Sequence, residues 1–113
     1  MTHVNAIGID LAKSIFHIYG ADKAGKCLFK QKVKRNKLLS SLAAHKPCRV
    51  FMESCGSSYY WARKIQSLGH DVKLIAPQFV KPFLKSNKND YLNSEAILEA
   101  GCRARVVHKL ERY

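Results

Sequence analysis

At 113 residues the chain is sized for a single domain, and 47% hydrophobic residues, with five Tyr, five Phe and one Trp, support a modest core rather than disorder. Lys and Arg number 20 against 8 Asp plus Glu, a formal net charge of +12 that favours a polyanionic partner without choosing between DNA and RNA. The N-terminus has no basic region followed by a signal-length apolar stretch and nowhere do about 18 apolar residues run together, so neither secretion nor a membrane span is expected and the chain reads as cytoplasmic.

Ala6–Asp10 reads as a first strand and Ser14–Tyr19 as a second, joined by Leu11-Ala12-Lys13. A Gly-bounded turn at 20–25 leads to a third strand, Cys27–Val33, in which Lys30, Lys32 and Lys34 alternate with Phe29, Gln31 and Val33. Those lysines suit a solvated edge protected from pairing at least as well as a phosphate track. Leu38–His45 follows as a short helix with Asn36 as its cap and Pro47 beyond its end, then Cys48–Glu53 as a fourth strand. Ser57 or Ser58 caps a helix over Tyr59–Leu68, where Trp61, Ala62, Ile65 and Leu68 recur at helical spacing before Gly69. Val72–Ala76 is a fifth strand ended by Pro77, Gln78–Leu84 a helical segment limited by Pro82, and Asp90–Ala100 a last helix closed by Gly101. Cys27, Cys48, Cys55 and Cys102 form no Cys-x-x-Cys pair, so neither a zinc site nor a disulfide framework is expected.

Three meandering strands followed by alternating helices and strands describe an α/β layer fold with a mixed sheet, because strands joined through helices tend to lie parallel. Within that order Asp10 and Glu53 each end an apolar run, and Asp90 opens the last helix. Carboxylates at such positions lose hydration and repel one another where they converge, unless a cation binds them. Carboxylate-held magnesium or manganese in a basic chain points to phosphodiester chemistry on nucleic acid.

Three segments carry a specific resemblance: Gly8-Ile9-Asp10-Leu11-Ala12-Lys13, Phe51-Met52-Glu53-Ser54-Cys55-Gly56, and Lys85-Ser86-Asn87-Lys88-Asn89-Asp90 followed by Ser94-Glu95-Ala96-Ile97. Together and in order they resemble the N-terminal domain of the DEDD-type insertion-sequence transposases, the insertion-sequence one-ten family related to Piv-type DNA invertases. The resemblance implies a ribonuclease H-like (RuvC-like) mixed sheet flanked by helices over residues 1–100. It implies DNA transposition and recombination by two-metal phosphodiester chemistry with magnesium or manganese, in which Asp10, Glu53 and Asp90 are the metal ligands. It also implies DNA as a partner, together with an element-encoded guide RNA and association with itself or with a full-length transposase.

The family pattern expects a fourth acid three residues after Asp90, on the same helical face, and here that position is Asn93. An amide oxygen can coordinate magnesium but brings no charge, so weaker metal binding is expected at a site built from Asp10, Glu53, Asp90 and Asn93. Family members carry a further helical region and a C-terminal domain that do not fit after Ala100, so a truncated or frameshifted remnant with a basic tail over 101–113 is expected. Lys13, Lys85 and Lys88, with Lys81, Arg103, Arg105 and Lys109, are candidates for phosphate contact around the carboxylates. Two other classes remain open: a non-catalytic nucleic-acid-binding module of the same fold, and a sugar-kinase or actin-like ATPase fragment. The ATPase reading is disfavoured because Leu11-Ala12-Lys13 lacks the glycine a phosphate loop needs.

Overall fold

In the computed structural model, which describes residues 3–86, 89–103 and the backbone of 108–109, six strands form one sheet in the order β3-β2-β1-β4-β5-β6. The strands are β1 (Ala6–Asp10), β2 (Ile15–Ala21), β3 (Cys27–Lys34), β4 (Arg49–Glu53), β5 (Asp71–Ile75) and β6 (His108–Lys109). β1 pairs antiparallel with β2 and parallel with β4, β2 with β3 antiparallel, β4 with β5 parallel, and β6 returns antiparallel along β5. The expected meander and mixed sheet are therefore present. The helices are α1 (Leu38–Ala43), α2 (Ser58–Gln66), α3 (Pro77–Val80) and α4 (Leu92–Arg103), with 3₁₀ turns at Arg35–Lys37 and Lys81–Phe83.

Strand alternation sorts the apolar residues onto two faces. Ile7, Ile9, Phe16, Ile18, Val50, Met52, Val72 and Leu74 pack with Leu38 and Leu42 of α1 and Trp61, Ala62 and Ile65 of α2. On the other face Ala6, Tyr19, Phe51 and Ile75 pack with Val80 of α3 and with Ala96, Ile97, Leu98 and Ala100 of α4. β1 and β4 are covered on both faces, which is why Ala6-Ile7-Gly8-Ile9 and Val50-Phe51-Met52 are continuous apolar runs. Burying a side chain such as Phe51 or Met52 completely contributes ~2 kcal/mol of favourable transfer energy. His70 ties the start of β5 to the helical layer: the Cys48 N–H donates to its Nδ1 at 3.2 Å and its Nε2 lies 2.8 Å from the Leu42 carbonyl.

Several element ends differ from expectation for identifiable reasons. Helix α4 does not stop at Gly101 but runs through it to Arg103, because Gly101 lies under Phe51: a Cβ there would sit 2.3 Å from the Phe51 ring. This glycine is a close-packing residue rather than a terminator. Pro82 does more than limit its helix, since the segment divides into α3 and a separate 3₁₀ turn as soon as proline occupies the next turn. Asn36 lies within a 3₁₀ turn and does not cap α1. Ser58 shapes the start of α2 through the preceding loop, its hydroxyl accepting from the Cys55 N–H at 3.0 Å and donating to the Cys55 carbonyl at 2.8 Å. α2 ends before Gly69, whose φ of +102° breaks the helix. Among the described residues no helix is long and apolar enough to cross a membrane.

Candidate active site

Asp10 and Glu53 are the last residues of neighbouring parallel strands, and the β1–β4 register pairs Ile9 with Met52 immediately before them. Because Ile7, Ile9, Val50 and Met52 point to the α1–α2 face, period-2 alternation sends Asp10 and Glu53 to the face covered by α4. Two carboxylates thus share one edge of the sheet. Burial, and then the charge of Asp10, hold the Glu53 carboxyl above its ordinary range.

Helix α4 approaches closely because β1 carries no side chain at Gly8, where the helix crosses. A Cβ on Gly8 would lie 2.3 Å from the Ser94 carbonyl oxygen and 2.9 Å from the Leu98 backbone nitrogen and Cβ, so only glycine admits the helix at this depth. That contact carries the preceding residue of α4 to the carboxylates: the Asn93 amide donates to Asp10 Oδ2 at 3.3 Å. The start of α4 is set by Asn89, whose Oδ1 accepts from the Tyr91 N–H at 2.8 Å, and by the Ser94 hydroxyl donating to the Tyr91 carbonyl at 3.1 Å.

Asp90 is held elsewhere. Its carboxylate pairs with Lys32 Nζ at 2.5 Å, and that hydrogen bond and charge keep it below the ordinary carboxylate range. Register places Asp10 opposite His17 and His17 opposite Lys32, so Asp90 is anchored to a residue two strand spacings from Asp10, roughly 10 Å. The alternating lysines of β3 are thus partly absorbed by the fold, Lys32 on Asp90 and Lys30 about 6 Å from the Tyr19 and Tyr91 ring centres. The structure brings Asp10, Glu53 and Asn93 together and leaves Asp90 outside that group. Among the described residues no three His, Cys, Asp or Glu side chains come close enough to hold a metal ion.

His17 was not singled out by sequence, yet it occupies the middle of the row between Asp10 and Lys32, edge-on to Tyr91 at 5.5 Å, with its buried Nδ1 lacking a hydrogen-bond partner. Its position in the β2 alternation was legible. Its neighbours depended on register.

The candidate phosphate contacts divide. Lys13 is exposed beside Asp10, its carbonyl accepting from the Arg35 guanidinium at 3.2 Å. Lys85 is clamped to α4 by Glu95 at 2.9 Å and Glu99 at 2.8 Å, and hydrogen bonds to Glu99 and then Glu95 raise its ammonium pKa. Arg103 is exposed at the end of α4, while Lys88 and Arg105 lie outside the described residues, as does the side chain of Lys109.

The donor set suits a hard cation: two carboxylates whose mutual repulsion and burial already disfavour the ionised pair, and an amide that can turn its oxygen inward. A family model described as transposase, of the IS110 DEDD type, matches residues 7–112. The chain belongs to this IS110-type transposase family. Curated IS110-type relatives include the transposase for insertion sequence element IS1328 of Yersinia enterocolitica, 52% identical over 91% of this chain and 31% of the relative. A probable family 20 transposase of Pseudomonas aeruginosa is 45% identical over 89% of this chain and 30% of its own length. The transposase for IS1111A of Coxiella burnetii is 41% identical over 92% of this chain and 29% of its own length. The chain therefore spans about a third of the length of these curated relatives, over their N-terminal region.

Solved structures agree on the fold of this transposase domain. Thermus thermophilus RuvC superposes with a TM-score of 0.65 at 16% identity, over 93% of this chain and 99% of that one. RuvC in complex with a Holliday junction substrate gives 0.64 at 15% identity, over 96% of this chain and 100% of that one. The RuvC-like, ribonuclease H-type architecture expected from the motifs is thus shown.

Proposed function

We propose that this RuvC-like transposase domain binds DNA and places one of its phosphodiesters against a divalent cation, magnesium or manganese, held by Asp10 and Glu53. The observation that supports this reading most directly is the convergence of those two carboxylates at the ends of adjacent parallel strands in a chain of formal net charge +12. When bound, the cation supplies charge neutralisation at the phosphate and activation of the attacking oxygen. Asp10 and Glu53 would hold it, and the Asn93 side chain, which donates to Asp10 through its amide nitrogen, would offer its amide oxygen as a further donor on turning. Asp90 becomes available as a third carboxylate only on leaving Lys32. Exposed cations, Lys13 first among them, draw the backbone to the carboxylates, and affinity accordingly falls steeply with salt. We place the body of the domain at residues 1–100, with the basic segment 101–113 adding the last turn of α4 and the short strand β6 to it.

A second reading, a nucleic-acid-binding module that no longer cuts, is favoured by the hydrogen bonds themselves. Asn93 donates a hydrogen bond to Asp10 and Lys32 pairs with Asp90, so each of these two carboxylates has a partner within the chain. The two readings separate on Asn93→Asp. In chelator this substitution replaces a hydrogen bond with like-charge repulsion, so the variant unfolds at lower temperature than the natural chain, and magnesium raises its Tm by more. Calorimetric titration of magnesium and manganese, with cleavage of branched DNA scored alongside, decides the rest. Cutting by the natural chain, lost in Asp10→Asn, supports the metal-dependent reading. Salt-sensitive binding without cutting, by the natural chain and by the Asn93→Asp variant alike, supports the module.

A further inference from the structure

A second concavity opens at the same end of the sheet as Asp10 and Glu53, but on the α1–α2 side. It is a groove of about 620 Å³ between the start of β2, the end of β3 with its 3₁₀ turn, and the first turn of α2. Ile15, Lys34 and Arg35 form one wall, Tyr60 and Trp61 the other, with Ser14 at the lip. Four observations bear on what it takes. Tyr60 is 49% exposed and Ile15 42%, an unusual outlay of apolar surface in so charged a chain. Trp61 carries a buried Nε1 without a hydrogen-bond partner. Lys34 and Arg35 have no carboxylate partner among the described residues, so their charge is available at the rim. Arg35 is nonetheless held in place, its guanidinium 5.3 Å from the Trp61 ring centre and hydrogen-bonded to the Lys13 carbonyl at 3.2 Å.

An exposed aromatic ring beside an ordered guanidinium, with a second cation at the rim of a cleft of nucleotide size, is what an unpaired nucleotide needs: a face on which to stack its base and positive charge for the flanking phosphates. A duplex has no base free to enter. We propose that this groove binds a single-stranded segment of DNA, seating one unpaired base against Tyr60 with its phosphates on Lys34 and Arg35. The choice of DNA as ligand rests on the transposase reading above, but the groove uses neither the carboxylates nor a metal, so the two can fail separately. Placing an unpaired strand beside the carboxylate edge would let the domain prefer branched or melted DNA over intact duplex.

The single tryptophan of the chain lines the groove and reports on it directly. The natural chain is titrated in chelator with a mixed-sequence single-stranded DNA oligonucleotide, with its duplex, and with the RNA of the same sequence, following Trp61 fluorescence. A saturable change with single-stranded DNA at an affinity about tenfold or more above that for duplex is expected. Tyr60→Ala weakens it by about tenfold, as loss of one base-stacking contact does, while Tyr60→Phe retains it. Tyr60 is half exposed, so circular dichroism and Tm of these variants stay near the natural values. Equal affinity for duplex, indifference to Tyr60→Ala, or tighter binding of the RNA would each overturn the proposal.

Discussion

The depth at which α4 crosses β1 makes Gly8→Ala a demanding test of how the site is assembled. The new methyl would meet the Ser94 carbonyl oxygen at 2.3 Å and Leu98 backbone and Cβ atoms at 2.9 Å. Comfortable contact needs roughly 3.5 Å, so the helix must retreat about 1 Å. Backbone atoms cannot rotate away as a side-chain end could. Overpacking of this kind costs ~1–3 kcal/mol, whereas reducing the freedom of the unfolded chain by Gly→Ala returns only ~0.4–1 kcal/mol. The steric term wins, and a net loss of ~1–2 kcal/mol lowers Tm by ~4–8 °C for a domain of this size. The same retreat would open the 3.3 Å contact between Asn93 and Asp10. Gly56→Ala is the matched control, since a Cβ there meets nothing within 4 Å. Thermal unfolding by circular dichroism compares the two. A Gly8→Ala protein as stable as Gly56→Ala would refute the claim that close approach over Gly8 positions α4.

Glu53→Gln addresses the electrostatics of the pair. The folded state raises the Glu53 pKa, so it binds the proton more tightly than the unfolded chain and loses stability as pH rises from the ordinary glutamate range through that raised value. In chelator at about pH 7 the variant should therefore melt above the natural chain, the gap narrowing toward about pH 4; an advantage that grows in acid would contradict the assignment. Lys32→Ala should release Asp90, whose carboxyl then returns upward to the ordinary range in a ¹³C NMR titration with little change in Tm, since both groups are exposed. A pinned, still-depressed Asp90 would show that another cation holds it. Burial pushes the Cys48 thiol up to about 11, so alkylation at about pH 8, followed by mass spectrometry, should modify exposed Cys55 and Cys102 well before Cys48.

Much of this fold follows from local pattern. Continuous apolar runs at 6–9 and 50–52 mark strands covered on both faces, and a lysine-alternated strand marks the edge. Helix ends were less legible where one residue type serves two purposes. Gly69 ends a helix through its positive φ, whereas Gly101, equally plausible as a terminator in one dimension, is required by the Phe51 ring lying against it.

The site divides the same way. Local pattern is enough to establish that Asp10 and Glu53 each end a central strand, because both close apolar runs that only burial on two faces explains. Strand alternation then sets the face each carboxylate takes. Which groups those carboxylates meet is settled by packing in three dimensions. Register sets His17 beside Asp10 and Lys32 beyond it, and Lys32 draws Asp90 away from the position its place in the motif suggests. The missing side chain of Gly8 brings Asn93 down onto Asp10 instead. Ion pairing and close packing join residues 58 and 83 positions apart in the chain. The physical reason is that periodicity carries information about which face a residue occupies, while distance across strands and layers is fixed only when the whole sheet and its helices are packed together.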